Sequence, residues 1–234
     1  MKKVFLTGVI AITVAGAPAQ TRFGAQVGGN LANVKERSAY AGSPAWESQY
    51  DPAFGFMIGG VAKIPLSAHF AFRPELNFLQ KGSKLRRTVP FYSYNGDLVM
   101  HFIEIPLNVV YASMPAGRDH LFFGGGPSVG FGISGKYNLN IIDAGNSRTE
   151  KGDVKFDGKR YEAQDPYNPT WHFKFLDVGA TFLAGIDMAN GMNISIAYAK
   201  GFSNLNPNAN ESFQTNGFQF KVGYMFGNKA GAKK

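Results

Sequence analysis

Apolar and polar residues alternate with a period of two along most of the chain. The pattern is clearest near its end, where Phe218, Phe220, Val222, Tyr224 and Phe226 interleave with Gln219, Lys221, Gly223 and Met225. Period two is the repeat of a β-strand, whose successive side chains point to opposite faces. The same rule predicts strands carrying Phe23, Ala25, Val27 and Leu31 against Gly24, Gln26, Gly28 and Asn30, and Phe54, Phe56, Ile58, Ala62 and Ile64 on one face. In the latter, Met57 and Val61 make the opposite face less polar. Phe70, Phe72, Leu76 and Phe78 oppose His69, Arg73, Glu75 and Asn77, and Val99, Ile103, Ile105, Leu107, Val109 and Tyr111 oppose Glu104 and Asn108. Leu121, Phe123, Val129, Phe131 and Ile133 oppose a face of Gly124, Gly126, Ser128, Gly130, Gly132 and Ser134 that is nearly bare of side chains. Leu176, Val178, Ala180, Phe182 and Ile186 face away from Asp177, Gly179, Thr181, Gly185 and Asp187; Met192, Ile194, Ile196 and Tyr198 face away from Asn193, Ser195, Ala197 and Ala199. The pattern therefore predicts eight strands.

The connections alternate in length. Short ones fall near Pro65-Leu66-Ser67, Met114-Pro115-Ala116-Gly117 and Ala189-Asn190-Gly191, the last an Asn-Gly pair suited to a type I′ hairpin. Long ones rich in polar residues, Gly, Tyr and Pro cover 35–52, 83–96, 136–170 and 203–213. Short turns at one end and long loops at the other are the layout of a bacterial outer-membrane barrel. An even strand number then places both termini in the periplasm.

A soluble barrel would share the period but turn its apolar face inward, and its outward row would need charge. Here the alternate row is mostly Gly, Ala, Ser, Thr and Asn, and only 17% of residues are charged, against about 25% in soluble domains. Several segments reach the roughly 9–11 residues that a transmembrane strand needs. An open sheet edge in hydrocarbon would leave backbone groups unsatisfied, so the strands must close on themselves. The expected fold is all-β, an eight-stranded antiparallel transmembrane up-and-down barrel over 20–226. Phe23, Phe54, Tyr111, Phe175, Tyr198 and Phe226 are the expected lipid-facing or girdle aromatics.

Lys2 and Lys3 precede an apolar run from Val4 to Ala15 and the triplet Ala17-Pro18-Ala19. The run is too short to span a bilayer as a helix, and the pattern reads as a signal peptide over 1–19, cleaved before Gln20. Its removal lowers the formal charge from +8 to +6. Cysteine is absent, which excludes disulfides and thiolate metal sites. The scattered basic residues give no nucleic-acid groove, and 227–234 reads as a basic periplasmic tail.

Four segments carry a family resemblance: Gly24-Ala25-Gln26-Val27-Gly28-Gly29-Asn30-Leu31-Ala32, Arg73-Pro74-Glu75-Leu76, Ile103-Glu104-Ile105-Pro106-Leu107 and Gly124-Gly125-Gly126-Pro127. In order and spacing, with the terminal aromatic strand, they resemble the PorT-like or "porin family" outer-membrane β-barrel domain of Bacteroidetes-type bacteria. The resemblance implies an outer-membrane barrel and little about activity. Such barrels often finish on an aromatic residue, whereas here Phe226 is followed by eight more residues.

Arg73 and Glu75 share one face of their strand, and Glu104 on the next strand points the same way. With Asn77, Asn108, Asp177 and Lys221 they form an expected lumen network; Asp187 and Lys63 read alike. Packed in an eight-stranded interior, such charges stabilise one another rather than act on a substrate. The Gly130-Phe131-Gly132-Ile133-Ser134-Gly135 string matches a dinucleotide motif but runs along a strand, where that motif has no function. His69, His101, His120 and His172 have no metal-ligand spacing. Asp153, Asp157, Glu162 and Asp165 make the longest loop the place to look for cation contacts, though a solvated loop is the plainer reading. No catalytic, cofactor or metal site is expected. The expected partners are outer-membrane lipid and lipopolysaccharide, the barrel-assembly machinery during biogenesis and an envelope protein that the sequence does not name. A structural or surface-interaction role leads, with a small-solute pore or an accessory barrel for secretion or envelope assembly as alternatives.

Overall fold

The computed structural model describes residues 21–38, 46–89, 92–114, 118–160, 170–208 and 210–226; the expected signal peptide and basic tail lie outside them. The strands are β1 (Arg22–Ser38), β2 (Trp46–Gln49), β3 (Asp51–Pro65), β4 (Phe70–Val89), β5 (Tyr92–Ala112), β6 (His120–Asp143), β7 (Asn146–Lys155), β8 (Thr170–His172), β9 (Leu176–Asp187), β10 (Met192–Gly201) and β11 (Glu211–Phe226). Eight of them form a ring in the order β1-β3-β4-β5-β6-β9-β10-β11, closed by antiparallel pairing of β11 with β1. Each ring strand is therefore hydrogen-bonded on both sides, as a barrel in hydrocarbon requires.

The alternation decides which way each row points. Phe54, Phe56, Ile58, Leu76, Phe123, Phe182, Ile196, Phe218 and Phe220 are exposed on the outer face. Met57, Val61, Arg73, Glu75, Phe122, Ser195 and Lys221 are buried inside. A soluble protein exposing so large an apolar surface would aggregate; a lipid-facing belt is its physical explanation. Among the tight connections, Gly191 has φ 97° but Asn190 has no positive φ, and Gly191 N donates to Met188 O at 3.0 Å; the turn is therefore not the expected type I′, which needs φ > 0 at both central residues, but one that closes on a single left-handed glycine.

The structure corrects the long connections. β4 and β5 run on to Val89 and back from Tyr92, so 83–96 is largely hairpin rather than loop. The 136–170 segment begins as strand: β6 continues to Asp143, turns at Ala144 and Gly145 with φ 45° and 87°, and returns as β7. Residues 35–38 and 46–49 pair as well, with Lys35 opposite Gln49, and 211–213 open β11. The alternation continues past the belt with polar residues on its outer face, which is why apolar patterning alone stops too early. Ser134 is a second correction. β6 shifts register against β5 between His101 and Phe102, so Gly132 lies opposite Phe102 but Ser134 lies opposite His101. The irregularity turns Ser134 outward and brings Gly135, Tyr137, Leu139 and Ile141 to the inside, where they are buried.

Candidate functional site

Polar side chains converge in the barrel interior. Nearest the tight turns, Lys63 Nζ donates to Asp187 Oδ2 at 2.6 Å, and His120 Nε2 lies 3.5 Å from the same oxygen. Arg73 reaches Asp187 Oδ1 at 3.5 Å through Nη1 and Asn193 Oδ1 at 3.3 Å through Nη2, while its Nε lies 3.6 Å from Glu75 Oε1. Its guanidinium covers the Phe122 ring at 4.6 Å, a cation–π contact that offsets part of the desolvation. Glu75 Oε2 accepts from Lys221 Nζ at 2.6 Å, Gln26 Nε2 at 2.9 Å and Asn77 Nδ2 at 3.0 Å.

A second layer surrounds Lys81, whose Nζ is 2.8 Å from Glu104 Oε2, 3.5 Å from Asp177 Oδ2 and 4.9 Å from the Phe102 ring centre. Thr215 donates to Asp177 at 2.7 Å and Gln219 to Glu104 at 3.3 Å. Glu104 on β5 and Asp177 on β9 both register with Gly130 on β6. Gly130, in register between them, adds no side chain to the space they share. Four cations, Lys63, Arg73, Lys81 and Lys221, thus meet four carboxylates, Glu75, Glu104, Asp177 and Asp187, all buried.

All seven expected lumen residues, Arg73, Glu75, Asn77, Glu104, Asn108, Asp177 and Lys221, are buried on the inward rows. The partnership differs from the expected one in that Glu104 pairs with Lys81 rather than with Arg73. Lys81 was missed because the third segment was ended at Phe78, although the inward row of Arg73, Glu75 and Asn77 continues through Leu79 to Lys81. Among the described residues, both polar atoms of Asn108, Thr181 Oγ1 and Ser195 Oγ are buried and have no hydrogen-bond partner.

Beyond the Lys81 layer the interior changes character. Leu79, Leu98, Met100, Phe102 and Leu205 are fully buried in an apolar plug that also holds Leu85, Tyr137, Leu139, Phe173 and Phe213. The chain on either side of 161–169 and the 202–210 connection supply its top: Lys174 N donates to Leu205 O at 2.7 Å and Leu205 N to Phe213 O at 2.9 Å. Phe173 packs on Phe213 at 4.5 Å, Trp171 stacks on Tyr137 at 4.3 Å, and Phe156 lies 5.2 Å from Phe102. Phe156 also covers Gly132, where any side chain would collide with its ring. This plug was not read from the sequence. Its signal was the row Leu98, Met100 and Phe102, on the face opposite the lipid-facing Val99 and Ile103.

Of the expected girdle residues, Phe23, Phe54, Phe175 and Phe226 are exposed, and Tyr111 and Tyr198 are half-exposed. Asp153 is exposed on β7, whereas Asp157 accepts from His172 Nδ1 at 2.7 Å; Glu162 and Asp165 lie outside the described residues. Its slight burial works against the charged form, but the His172 hydrogen bond and the Lys159 amide hold the Asp157 carboxyl below its ordinary value. A carboxylate held low contributes stability above its ordinary value and loses it as the pH falls through the lowered one. Trp171 adjoins this contact, so its fluorescence in the folded protein should change on acidification below the ordinary carboxylate range. Asp157→Asn should abolish that change, and an unaltered acid transition in the variant would assign it to another group. On the same side of the molecule Tyr50 is buried and donates to Glu36 at 2.5 Å; burial first, then the Glu36 carboxylate, raise its phenol well above the usual range.

A family model described as outer membrane protein beta-barrel domain matches residues 18–206. Among solved structures, Ail, the attachment invasion locus protein of Yersinia pestis, seen in complex with the heparin analogue sucrose octasulfate, is 12% identical, with 88% of this chain and 99% of that chain covered and a TM-score of 0.38. Neisserial surface protein A is 12% identical, with coverage of 87% and 97% and a TM-score of 0.40. The outer membrane protein OprG from Pseudomonas aeruginosa is 11% identical, with coverage of 88% and 96% and a TM-score of 0.43. No curated protein matches the chain.

Proposed function

The chain belongs to the outer membrane protein beta-barrel domain family, and from that premise we propose a structural or surface-interaction role in the bacterial outer membrane, without bulk solute transport and without catalysis. The observation that carries this reading is the doubly filled interior. A charge-balanced polar layer occupies one part of the lumen and an apolar plug with fully buried Leu98, Met100 and Leu205 occupies the rest. Eight strands leave an interior that side chains can fill, whereas aqueous porins use about 16–18. The interior carboxylates Glu75 and Glu104, which acid–base chemistry would need free, are engaged in ion pairs.

In this proposal 1–19 is removed, Gln20 begins the mature chain and both termini face the periplasm. The β6–β7 hairpin and the plug then lie outside. Membrane lipid, including lipopolysaccharide, and the assembly machinery are the partners, and the PorT-like grouping rests on the four segments quoted above. An accessory role in secretion or envelope assembly would use the same outer surface.

Two measurements test the reading. The protein should fractionate with the outer membrane and migrate faster on gels before boiling than after, because a closed barrel resists unfolding in detergent. Recovery in soluble periplasm without a shift on boiling would defeat it. In planar bilayers the refolded protein should give no large conductance steps, and liposomes carrying it should not swell in disaccharide. Stable steps or swelling would replace the closed barrel by a pore.

A further inference from the structure

The four-against-four balance of the buried charges leaves out Arg22. It shares the inward row of β1 with the buried Gln26 and Asn30 and lies in register with Lys63, at the tight-turn end. Among the described residues its one hydrogen bond runs from Nη2 to the Met225 carbonyl oxygen at 3.4 Å, and no carboxylate pairs with it. Counted with Arg22, the charges along the lumen are uneven. Near the tight turns Arg22, Lys63, Arg73 and Lys221 face two carboxylates, Glu75 and Asp187, whereas further along Lys81 alone faces Glu104 and Asp177.

Hydrogen-bond donors are left over in the same place. Arg22 Nε, Arg73 Nε and Asn193 Nδ2 are buried without an acceptor, and Arg73 and Asn193 are 0% exposed. Asn193 registers with Gly223, and its Nδ2 lies 2.9 Å from where a Gly223 Cβ would stand. That is two residues along β11 from the Met225 carbonyl that Arg22 touches. Lys63 Nζ has three hydrogens and two partners, Asp187 Oδ2 at 2.6 Å and His120 Nε2 at 3.1 Å. His120 spends its Nδ1 hydrogen on the Arg118 carbonyl oxygen at 2.7 Å. The leftover acceptors Gln26 Oε1 and Glu75 Oε1 belong to the group around Lys221 further in.

We propose that Arg22 and Asn193, with Lys63 and Arg73 beside them, bind one small inorganic anion of the size of chloride at the tight-turn mouth of the barrel. Taking an anion out of water needs charge of the opposite sign and N–H donors to replace its hydration, and both are in surplus there. An eight-stranded interior is largely filled by side chains, so the space between them suits a monatomic ion rather than an organic acid. The ion enters from the solvent at this end, where the Lys63 and Asp187 side chains are each 10% exposed and Arg22 is half-buried. The inference rests neither on the proposed orientation of the barrel nor on its proposed role.

The test is the temperature at which the compact gel band is lost, measured in sodium chloride and in sodium gluconate at equal ionic strength. Wild type should be the more stable in chloride, by about 3–6 °C for each tenfold excess of chloride over its dissociation constant. Arg22→Gln should fold, since the side chain is partly exposed and makes one long hydrogen bond, and should lose the difference between the salts. Asn193→Asp keeps the acceptor that Arg73 uses and supplies a fixed negative charge in place of the ion. In gluconate it should be at least as stable as wild type, and chloride should no longer raise its transition. Lys84→Gln, exposed on the outer face, should respond as wild type does. Equal stability of wild type in the two salts overturns the proposal and leaves the donors to water. An undiminished chloride effect in Arg22→Gln, a less stable Asn193→Asp in gluconate, or a response lost equally in Lys84→Gln also overturns it. Where a variant does not fold, wild-type crystals grown in bromide decide: an anomalous peak against Asn193 and Arg22 supports the site, and no peak at that mouth refutes it.

Discussion

Glu75→Ala is expected to destabilise the barrel by about 3–5 kcal/mol, the usual cost of removing one partner from a buried ion pair. The carboxylate receives Lys221 at 2.6 Å and lies 3.6 Å from Arg73, and the two cations are both 0% exposed. Without it neither can reach water, and Gln26 and Asn77 each lose an acceptor as well. The measurement is the temperature at which the compact gel band gives way to the unfolded one. It should fall clearly below that of wild type. Glu75→Gln should fall between the two, since it keeps the shape and an acceptor oxygen but not the charge. The double variant Glu75→Ala, Lys221→Met should recover part of the loss, because the cation left uncompensated is gone. An unchanged transition in Glu75→Ala would mean that the pairs contribute no net stability.

The second large effect concerns assembly rather than charge. Gly126 faces inward on β6, where a Cβ would collide with the Leu107 carbonyl oxygen and come within 2.8 Å of the Leu107 carbonyl carbon and 3.0 Å of Asn108 Cα. These are backbone atoms of β5 and cannot rotate away. Gly126→Leu should therefore cost at least the upper part of the about 1–3 kcal/mol typical of overpacking, and folding yield into detergent micelles should collapse. Gly60→Ala is the control, since a Cβ there meets nothing nearer than the Gly24 carbonyl oxygen at 3.7 Å. It should fold like wild type. Normal yield for Gly126→Leu would show that β5 and β6 can separate locally without loss of the barrel.

The glycine-rich face of β6 joins these two results. Its inward glycines admit close strand approach at Gly126 and an aromatic ring at Gly132, and Gly130 lies in register between Glu104 and Asp177. The sequence announced only that something approaches this backbone. Which group does so depends on strands distant in the chain, and no local pattern encodes that.

What the sequence determined by itself is the barrel and its polarity. Period-two alternation with a bare or polar second row specifies strands that face lipid on one side, and it put Arg73, Glu75, Glu104 and Lys221 on the other. Antiparallel pairing of successive strands followed from the short connections, because a tight turn such as 188–191 is a local property of the chain. Tertiary structure alone decided the rest. The pairing of Glu104 with Lys81 rather than Arg73 depends on the stagger between β4, β5 and β9. The outward turn of Ser134 depends on one irregularity where β6 passes β5. The plug depends on closure itself: Leu98, Met100, Phe102, Tyr137, Leu205 and Phe213 come from four separate stretches of chain and share an apolar interior only once the ring brings them to one end. Alternation is a property of neighbouring residues and survives in the sequence, whereas shear and closure are properties of the whole sheet, set by how all its strands pack at once.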